Sequence, residues 1–485
     1  MPDASNKSAI VLFLKIADPV VNTDKKKRCA THAHEWSALV DWSKLPDLGA
    51  VALLTLAFAS VAHHGRKSVS AIWLTGWLLI AIHFAAFMFL GAPGNWASLA
   101  SFIGLTALAC AGLLFMWAAV PHRSLHRSSQ WMLAVLLATY TLYFGLLVID
   151  PVASWALTPV AMLIGALPLT ILILSWRQFR HPLRWTIVAL NLGLSVFLLI
   201  FQHRPNVGTM LAFEAVLFTV YLGCAIHFWF TYRRATAGAF ITIAGFFAWA
   251  SVFVAGPGVV YLFPNFQLEN EVWNLPKYIV AVGMIMLLLE DQLEHNRYLA
   301  LHDELTGLPN RRLFQDRLTG AIERARRTGS HVALLLIDLN DFKQVNDTAG
   351  HHVGDELLKH VSNLFTSRVR RSDTVARTGG DEFSVILEEP MSRADAVRVG
   401  RTLTSLLDEP LTVGGNALRV GASVGIAVFP DDAADAESLR IAADVRMYAG
   451  KNAARENGIQ EPAGQPKKKL PVSVKPQPGF QAAAE

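Results

Sequence analysis

The chain has 485 residues, of which 53% are hydrophobic and only 17% are charged, and its mean hydropathy is +0.35. This composition excludes an ordinary soluble protein and predicts that part of the chain lies in a membrane, while the length allows two or three domains. The formal net charge of +5 is modest and spread over loops and a tail, so it favours contact with an anionic lipid bilayer and predicts no nucleic-acid partner.

The first 46 residues form a segment of unclear role. Its apolar stretch at 9–21 is too short and too charged to span a membrane, and it lacks the basic start and the clean apolar centre of a signal peptide. The cysteines of the chain, Cys29, Cys110 and Cys224, are odd in number, lie far apart and match no metal-binding spacing. They therefore predict neither a disulfide framework nor a zinc site.

Charged residues are scarce from 47 to 289 and frequent afterwards. The region divides into apolar runs of about twenty residues, the length that crosses a bilayer core, and Trp or Tyr often flanks a run, as at membrane interfaces. Buried helices of a large soluble protein are the competing interpretation, which so many consecutive runs disfavour. We predict a membrane sensory domain of about nine helices, with eight as the alternative. The predicted spans are 47–64, 70–91, 97–120, 130–150, 154–176, 184–203, 208–231, 236–262 and 275–289.

The loops between the runs predict an orientation. Loops with two or three Lys or Arg residues alternate with loops that have at most one, such as the uncharged 92–96, the acidic 263–274 and 204–207, which carries Arg204 alone. The positive-inside rule then places the basic loops, and everything after residue 289, in the cytoplasm. Nine spans put the N-terminus outside, whereas the basic run DKKKRC at 24–29 favours the inside.

Few polar side chains interrupt the spans. Glu214, His83 and His227 are candidates for binding a sensed ligand or a proton, because ionisable groups within a membrane are costly and often functional. The alternative for each is a local hydrogen bond inside the helix bundle. Nothing in the sequence links the three positions.

The last span continues into a segment, 286–302, with a short heptad-like seam. Apolar side chains recur at alternating spacings of three and four residues, which predicts a parallel coiled coil, with an amphipathic linker helix as the alternative. A polar residue at one seam position would set the register. The seam consists of Met286, Leu289, Leu293, Asn296 and Ala300.

Residues 296–460 alternate between strand and helix patterns. The continuous apolar run 332–337 predicts a central strand buried on both faces, and 374–376 with 383–387 predict a hairpin around two glycines. The order α-β-α-β-β-α-β-α predicts an α+β domain with helices on a mainly antiparallel sheet. The other predicted elements are helices at 353–369, 392–408 and 435–450 and a strand at 418–428; a Pro-, Lys- and Gln-rich tail at 461–485 is predicted to be disordered.

Two acids in this domain point to phosphate chemistry. Asp338 ends the central strand, and Asp381 follows the glycine pair Gly379 and Gly380 in the stretch RTGGDEF. If the hairpin pairs beside that strand, the two carboxylates meet at one sheet edge, where Mg²⁺ would find the oxygen ligands it prefers. Glycines allow a phosphate to approach the backbone closely. These features alone leave a solvated hairpin as an equal alternative.

Four motifs that follow one another along the chain favour the metal and phosphate site over the solvated hairpin. They resemble the GGDEF family of diguanylate cyclases over about residues 296–458, and together they are specific. The motifs are DELTGLPNRR at 303–312, DLNDFKQVNDTAGHHVGD at 338–355, RTGGDEF at 377–383 and MYAGKNAAREN at 447–457. The apolar runs and the resemblance together predict a multi-pass α-helical membrane domain in the inner membrane of a bacterium, followed by a cytoplasmic, nucleotidyl-cyclase-like α+β domain.

The resemblance also implies roles for individual residues. Asp338, Asp381 and the Leu339 carbonyl would bind two Mg²⁺ or Mn²⁺ ions per active site, with Asp381, Asp338 and Glu382 as the catalytic residues. A pair of residues, Arg370 and Asp373, resembles the inhibitory RxxD site for the reaction product. The implied substrate-binding residues are Asn346 and Asp355 for guanine, Lys343, Lys451 and Arg455 for the triphosphate, Phe342 at the pocket wall, and Gly379 and Gly380 beside the phosphates.

The implied reaction joins two GTP molecules into cyclic di-GMP and releases pyrophosphate. Each domain would hold one GTP, so catalysis would need a homodimer, with the membrane domain as input and cyclic di-GMP as feedback inhibitor. The main alternative is a catalytically inactive cyclic di-GMP receptor that uses the RxxD site. A transporter with a regulatory domain and another nucleotidyl cyclase are less favoured alternatives.

Overall fold

The computed structural model divides into two compact units, Met1–Leu293 and Glu294–Glu485. Most of the predicted N-terminal segment, with Cys29, and the predicted tail at 461–485 lie outside the described residues. The residues described are 40–63, 67–93, 95–118, 127–149, 154–174, 182–204, 207–232, 236–263, 270–389, 392–407, 409–413, 416–418 and 420–458.

The described part of the first unit is helical. A short 3₁₀ turn, Trp42–Lys44, precedes the helices, and nine helices occupy the nine predicted apolar runs. Their bounds are α1 Leu45–His63, α2 Lys67–Phe87, α3 Asn95–Ala118, α4 Arg127–Ile149, α5 Ser154–Leu174, α6 Pro182–Phe201, α7 Gly208–Thr231, α8 Ala237–Leu262 and α9 Asn270–Leu301.

Six helical segments in the described residues are long and apolar enough to cross a membrane. These candidate membrane-spanning helices all begin before the second unit, as the predicted architecture requires. Three further helices contain shorter apolar segments, so the count of nine spans stays a prediction. The six segments are Trp42–Val61, Asn95–Ala118, Trp155–Ile173, Gly208–Thr231, Ala237–Val259 and Val272–Leu301, and the shorter ones are Ala71–Phe87, Leu133–Val148 and Trp185–Phe201.

Aromatic side chains form the centre of this bundle. Trp73, Phe115, Phe246 and Trp249 are all almost fully buried, and the ring of Tyr221 stacks 4.0 Å from that of Trp249. The outer surface also carries large apolar side chains, which bilayer lipid would cover without cost. The bundle is thus apolar inside and outside, which explains why its helices show continuous apolar runs and no polar face.

The predicted seam lies on α9. Leu289 is 43% exposed and Leu293 is 68% exposed within this single chain, so the seam presents apolar side chains at its surface. Both the coiled coil and the simple linker helix are compatible with this exposure. The choice between them stays a prediction.

The second unit is an α+β domain, as predicted. Its four-stranded sheet has the order β2-β3-β1-β6, and every neighbouring pair is antiparallel. A separate two-stranded hairpin, β4-β5, lies outside this sheet. The elements are α10 Arg311–Thr328, β1 Val332–Leu339, α11 Phe342–Ala349, α12 His351–Arg368, β2 Thr374–Arg377, β3 Glu382–Glu388, α13 Arg393–Ser405, β4 Leu411–Val413, β5 Asn416–Leu418, β6 Ala422–Phe429 and α14 Ala436–Gly458.

The central strand is buried on both faces. Leu335 and Ile337 pack into a core with α12 and α13, whereas Leu334 packs into a second core with α10 and α14. Successive side chains of a strand point to opposite faces, so one continuous apolar run supplies both cores. This is the pattern that the sequence predicted for 332–337.

Two predicted elements differ in the structure. The region after β1 contains an additional helix, α11, which ends where Gly350 takes a positive φ of 89° before α12 begins. The predicted strand 418–428 starts late, because residues 416–418 pair with β4 and β6 begins only at Ala422. Both differences depend on chain reversals that short apolar patterns do not encode.

Candidate active site

The end of β1 and the start of β3 lie side by side. Asp338 is in register with Glu382, and the Leu339 N–H donates to the Asp381 carbonyl at 3.1 Å. Asp338 is 9% exposed, and Asp381 is half-buried. The antiparallel pairing of β1 and β3 therefore brings the two acids to the same edge of the sheet.

A tight loop connects β2 to β3. The N–H groups of Thr378 and Gly379 both donate to the Glu382 carbonyl, at 3.0 Å and 3.4 Å. A Cβ at Gly379 would lie 2.5 Å from Glu382 Oε2, whereas a Cβ at Gly380 would meet no atom within 4 Å. The two glycines thus differ: a Cβ at Gly379 would displace the exposed side chain of Glu382, whereas Gly380 leaves the surface of the loop open.

The side chain of Arg377 holds this loop, and it was missing from the predicted site. Its Nε and Nη2 donate to the Gly380 carbonyl at 3.1 Å and 2.7 Å. Its Nη1 donates to both Asp303 carboxylate oxygens at 3.0 Å and 3.1 Å. The guanidinium therefore connects the RTGGDEF and DELTG motifs. The presence of both motifs in one chain was the only available sign of this contact. Nothing in the sequence indicates that Arg377 pairs with Asp303, which lies 74 positions away.

Asp303 is itself held in place. Its Oδ1 accepts hydrogen bonds from the Thr306 N–H at 2.9 Å and from the Thr306 hydroxyl at 2.7 Å. Burial by itself raises the pKa of the Asp303 carboxyl, but the hydrogen bonds from Thr306 and Arg377 outweigh it and hold the pKa below its usual value. Asp303 is thus a fixed anion against which Arg377 is oriented.

The donor set at the sheet edge suits a hard divalent cation. Asp338 and Asp381, which each carry a carboxylate, come together here with the Leu339 backbone, whose N–H meets the Asp381 carbonyl. Mg²⁺ takes one or two carboxylates together with substrate phosphates and water, so this set fits the ion. No cluster of three or more His, Cys, Asp or Glu side chains suited to a metal occurs in the described residues, and the predicted ligand set does not require one.

Lys451 of α14 reaches the same edge. Its Nζ donates to Asp338 Oδ1 at 2.6 Å across 113 residues of sequence. The side chain, which the sequence assigned to the triphosphate, thus lies next to a predicted metal ligand. The backbone of Arg455 lies in the same helix, but its side chain is outside the described residues.

The predicted guanine-binding residues lie at the corner between α11 and α12. A Cβ at Gly354 would overlap the side-chain oxygen of Asn346 and contact the ring of Phe342, so the absence of a side chain at Gly354 lets the two helices approach. Asp355 follows directly and is exposed. The corner therefore places Asn346 and Asp355 close together, whereas Phe342 is 9% exposed and belongs to the core, and Lys343 is exposed.

The predicted product site forms a closed turn before β2. Asp373 Oδ2 accepts the Arg370 N–H at 2.9 Å, and its Oδ1 accepts the Glu388 N–H at 3.2 Å. The side chain of Arg370 is exposed and makes no hydrogen bond to another described residue. In this arrangement Asp373 fixes the turn and Arg370 presents its guanidinium to solvent.

Comparisons with known proteins point to the same region. The family model described as "Diguanylate cyclase, GGDEF domain" matches residues 300–457. The chain is 41% identical over 192 residues to the bifunctional diguanylate cyclase/cyclic di-GMP phosphodiesterase MucR of Pseudomonas aeruginosa, covering 36% of this chain and 28% of that protein. It is 37% identical over 168 residues to the diguanylate cyclase TpbB of the same species, covering 34% of this chain and 39% of that protein.

A solved structure is also similar to part of this chain. The crystal structure of a sensory box/GGDEF family protein from Caulobacter crescentus is 38% identical, with 32% of this chain and 99% of that chain covered and a TM-score of 0.31. The chain spans only 28% and 39% of the length of the two curated relatives.

Proposed function

Residues 300–457 of this chain form a GGDEF domain, and on this basis we propose that the protein is a diguanylate cyclase. The proposed reaction condenses two GTP molecules into cyclic di-GMP and releases pyrophosphate. The observation that carries the proposal is the meeting of Asp338 and Asp381 at one sheet edge, beside an open loop at Gly380. The curated relatives that match this region support the same activity.

The proposed chemistry at this edge is phosphoryl transfer. Asp338, Asp381 and the Leu339 carbonyl would hold divalent cations, proposed to be two Mg²⁺, which when bound neutralise phosphate charge and polarise the reacting phosphorus. Asp381 would accept the proton of the attacking ribose 3′-hydroxyl, with Glu382 supporting the loop. Lys451, now 2.6 Å from Asp338, would turn to the triphosphate once cations bind the acid.

The proposed base recognition rests on the α11–α12 corner. The side-chain amide of Asn346 offers both a donor and an acceptor, and the Asp355 carboxylate accepts hydrogen bonds from N–H groups. Guanine presents such N–H groups together with a carbonyl oxygen, whereas adenine lacks that carbonyl. We therefore propose GTP and not ATP as the substrate, with Lys343 near the phosphates.

Each domain would bring one GTP, so the proposed active form is a homodimer. The seam on α9, with Leu293 68% exposed, supplies apolar surface for such pairing. The helical unit would then regulate the enzyme by favouring or opposing the productive dimer, with its basic loops and the GGDEF domain on the cytoplasmic side of a bacterial inner membrane.

The direct test uses the full-length protein in lipid nanodiscs. Incubation with GTP and Mg²⁺ is expected to yield cyclic di-GMP and pyrophosphate, detected by chromatography, whereas ATP is expected to yield no cyclic dinucleotide. Folded protein that binds cyclic di-GMP but never forms it from GTP would contradict the proposal and favour the inactive receptor.

Arg377→Lys is expected to lower GTP turnover by about ten- to a hundredfold, because small displacements of catalytic groups are costly. Lysine keeps the charge, but one ammonium group cannot reproduce the five-donor fork that meets both the Asp303 carboxylate and the Gly380 carbonyl. The matched control is Arg324→Lys, in a surface ion pair with Glu388. Steady-state assays of both variants check this, and equal turnover in the two would contradict the positioning role of Arg377.

Arg370→Ala is expected to abolish inhibition by added cyclic di-GMP while leaving the uninhibited rate unchanged. The exposed guanidinium is proposed to stack on and hydrogen-bond the product, and its loss leaves the turn held by Asp373 intact. Initial rates are measured with increasing product, with Arg371→Ala as the exposed neighbouring control. Unaltered inhibition of the Arg370 variant would remove the site from the proposal.

A further inference from the structure

A small cavity lies inside the helical bundle, near the end where α9 begins. Its volume is about 160 Å³, similar to a protein cavity that holds one benzene-sized molecule. Residues from α1, α2, α3, α7, α8 and α9 line it, so it is a junction of helices far apart in sequence. The polar and charged lining residues are Lys44, Asp47, His83, Glu214, Asn274 and Lys277, all buried.

Most of the polar groups of the cavity already have partners. Asp47 accepts hydrogen bonds from the Tyr278 hydroxyl at 2.6 Å and from Asn274 Nδ2 at 2.8 Å. Lys277 Nζ donates to Asn274 Oδ1 at 2.6 Å and lies 4.7 Å from the centre of the Phe84 ring. This network joins the first helix to α9 and satisfies the Asp47 carboxylate.

Glu214 of α7 is different. It is 7% exposed, lines the cavity, and makes no hydrogen bond or ion pair with any residue that the structure describes. A buried carboxylate without a partner is costly, so a group that pairs with it there gains free energy. His83, the other polar residue that the sequence singled out here, is committed through Nδ1 to the Gly104 carbonyl at 3.0 Å.

Aromatic rings line the same cavity as this carboxylate. Trp249, Phe253 and Trp273 belong to the same cavity wall. The face of an aromatic ring attracts a cation, and the attraction grows when both are removed from water. A carboxylate together with aromatic faces is therefore complementary to an ammonium group on an apolar body.

We propose that this cavity binds a small organic amine about the size of benzene, with its ammonium group paired to Glu214. An anionic ligand would face the Glu214 carboxylate, and both lysines of the lining, Lys44 and Lys277, already have partners; Lys277 Nζ contacts Asn274 and the Phe84 ring. An uncharged ligand could donate at most a neutral hydrogen bond to Glu214, which is weaker than a hydrogen bond from an ammonium group. The amine satisfies the carboxylate and covers the aromatic wall at once.

The cavity also touches the helix that continues into the linker. Trp273, Asn274 and Lys277 all belong to α9, which extends to Leu301. A ligand that binds one position of α9 better than another shifts the balance between those positions by its difference in affinity. The site is thus suited to report an amine through α9.

The test is a binding measurement that does not use GTP, so its outcome is independent of the proposed cyclase activity. Full-length protein in nanodiscs is titrated by calorimetry with benzylamine, benzyl alcohol and benzoate, and titrations of empty nanodiscs are subtracted. Benzylamine is expected to bind saturably and at least about tenfold more tightly than either analogue, a difference of about 1.4 kcal/mol.

Matched variants assign that preference to Glu214. Glu214→Gln keeps the shape but removes the charge and is expected to abolish the tenfold preference, whereas Glu214→Asp keeps the charge and is expected to retain part of it. Asp291→Asn removes an exposed carboxylate of α9 and is expected to have no effect. Absence of saturable benzylamine binding, tighter binding of benzoate or benzyl alcohol, or an unchanged preference in Glu214→Gln would each overturn the proposal.

Discussion

Replacing Asp381 with Asn is expected to lower the formation of cyclic di-GMP from GTP by at least about a hundredfold while the domain stays folded. The substitution keeps the size of the side chain but removes the charge that would bind a cation and accept a proton. The contact of residue 381 with β1 runs through its carbonyl, which accepts the Leu339 N–H, and that contact remains. The carboxylate makes no hydrogen bond to another described residue, so its loss should cost little stability.

The measurement compares rates of product formation and thermal unfolding for the wild type and the variant in nanodiscs. The control is Asp316→Asn, which removes an equal charge from an exposed position of α10 and is expected to leave both quantities unchanged. Asp338→Asn is a less specific test of the proposed metal site, because it also breaks the ion pair between Asp338 and Lys451. Near-normal turnover in Asp381→Asn would show that the proposed metal and base assignment is wrong.

Replacing Gly425 with Ala is expected to destabilise the second unit by about 3 kcal/mol. Gly425 lies in β6 where α14 packs on the sheet, and an added Cβ would overlap the Ala443 carbonyl oxygen and lie 2.5 Å from the Met447 backbone N. Backbone atoms cannot rotate away as a side chain can, so the whole helix would have to move. That movement would also displace Lys451, which lies four residues after Met447 in α14, from the sheet edge.

A glycine of α14 itself, Gly450, provides the control. A Cβ at Gly450 would meet no atom within 4 Å, so Gly450→Ala is expected to be neutral or to stabilise the helix by about 0.5–1 kcal/mol. Chemical unfolding of both variants, followed by circular dichroism and by limited proteolysis of the second unit, separates the two effects. Equal stability of both variants would contradict the close packing of α14 on β6.

The α+β class of the second unit was predictable because its pattern is local. One apolar run, 332–337, supplies both cores of the sheet, and the two short strands around Gly379 and Gly380 predict their own hairpin. The partners of the site residues were less predictable. The Arg377–Asp303 pair and the Lys451–Asp338 pair join residues 74 and 113 positions apart, and hydrophobic periodicity carries no information on such pairs.

In the helical unit, the difference between the elements that the sequence predicts and the residue contacts that it does not predict is larger still. The positions of the apolar helices followed from the sequence alone, because a bilayer requires continuous apolar runs of a set length. The sequence also singled out His83, Glu214 and His227 without relating them. The packing of the helices shows that His83 and Glu214 line one cavity, whereas His227 forms a hydrogen bond with the Gly223 carbonyl of its own helix. The reason is that helix packing brings distant side chains together, as in the bond between Asn274 and Asp47, which spans 227 residues of the chain.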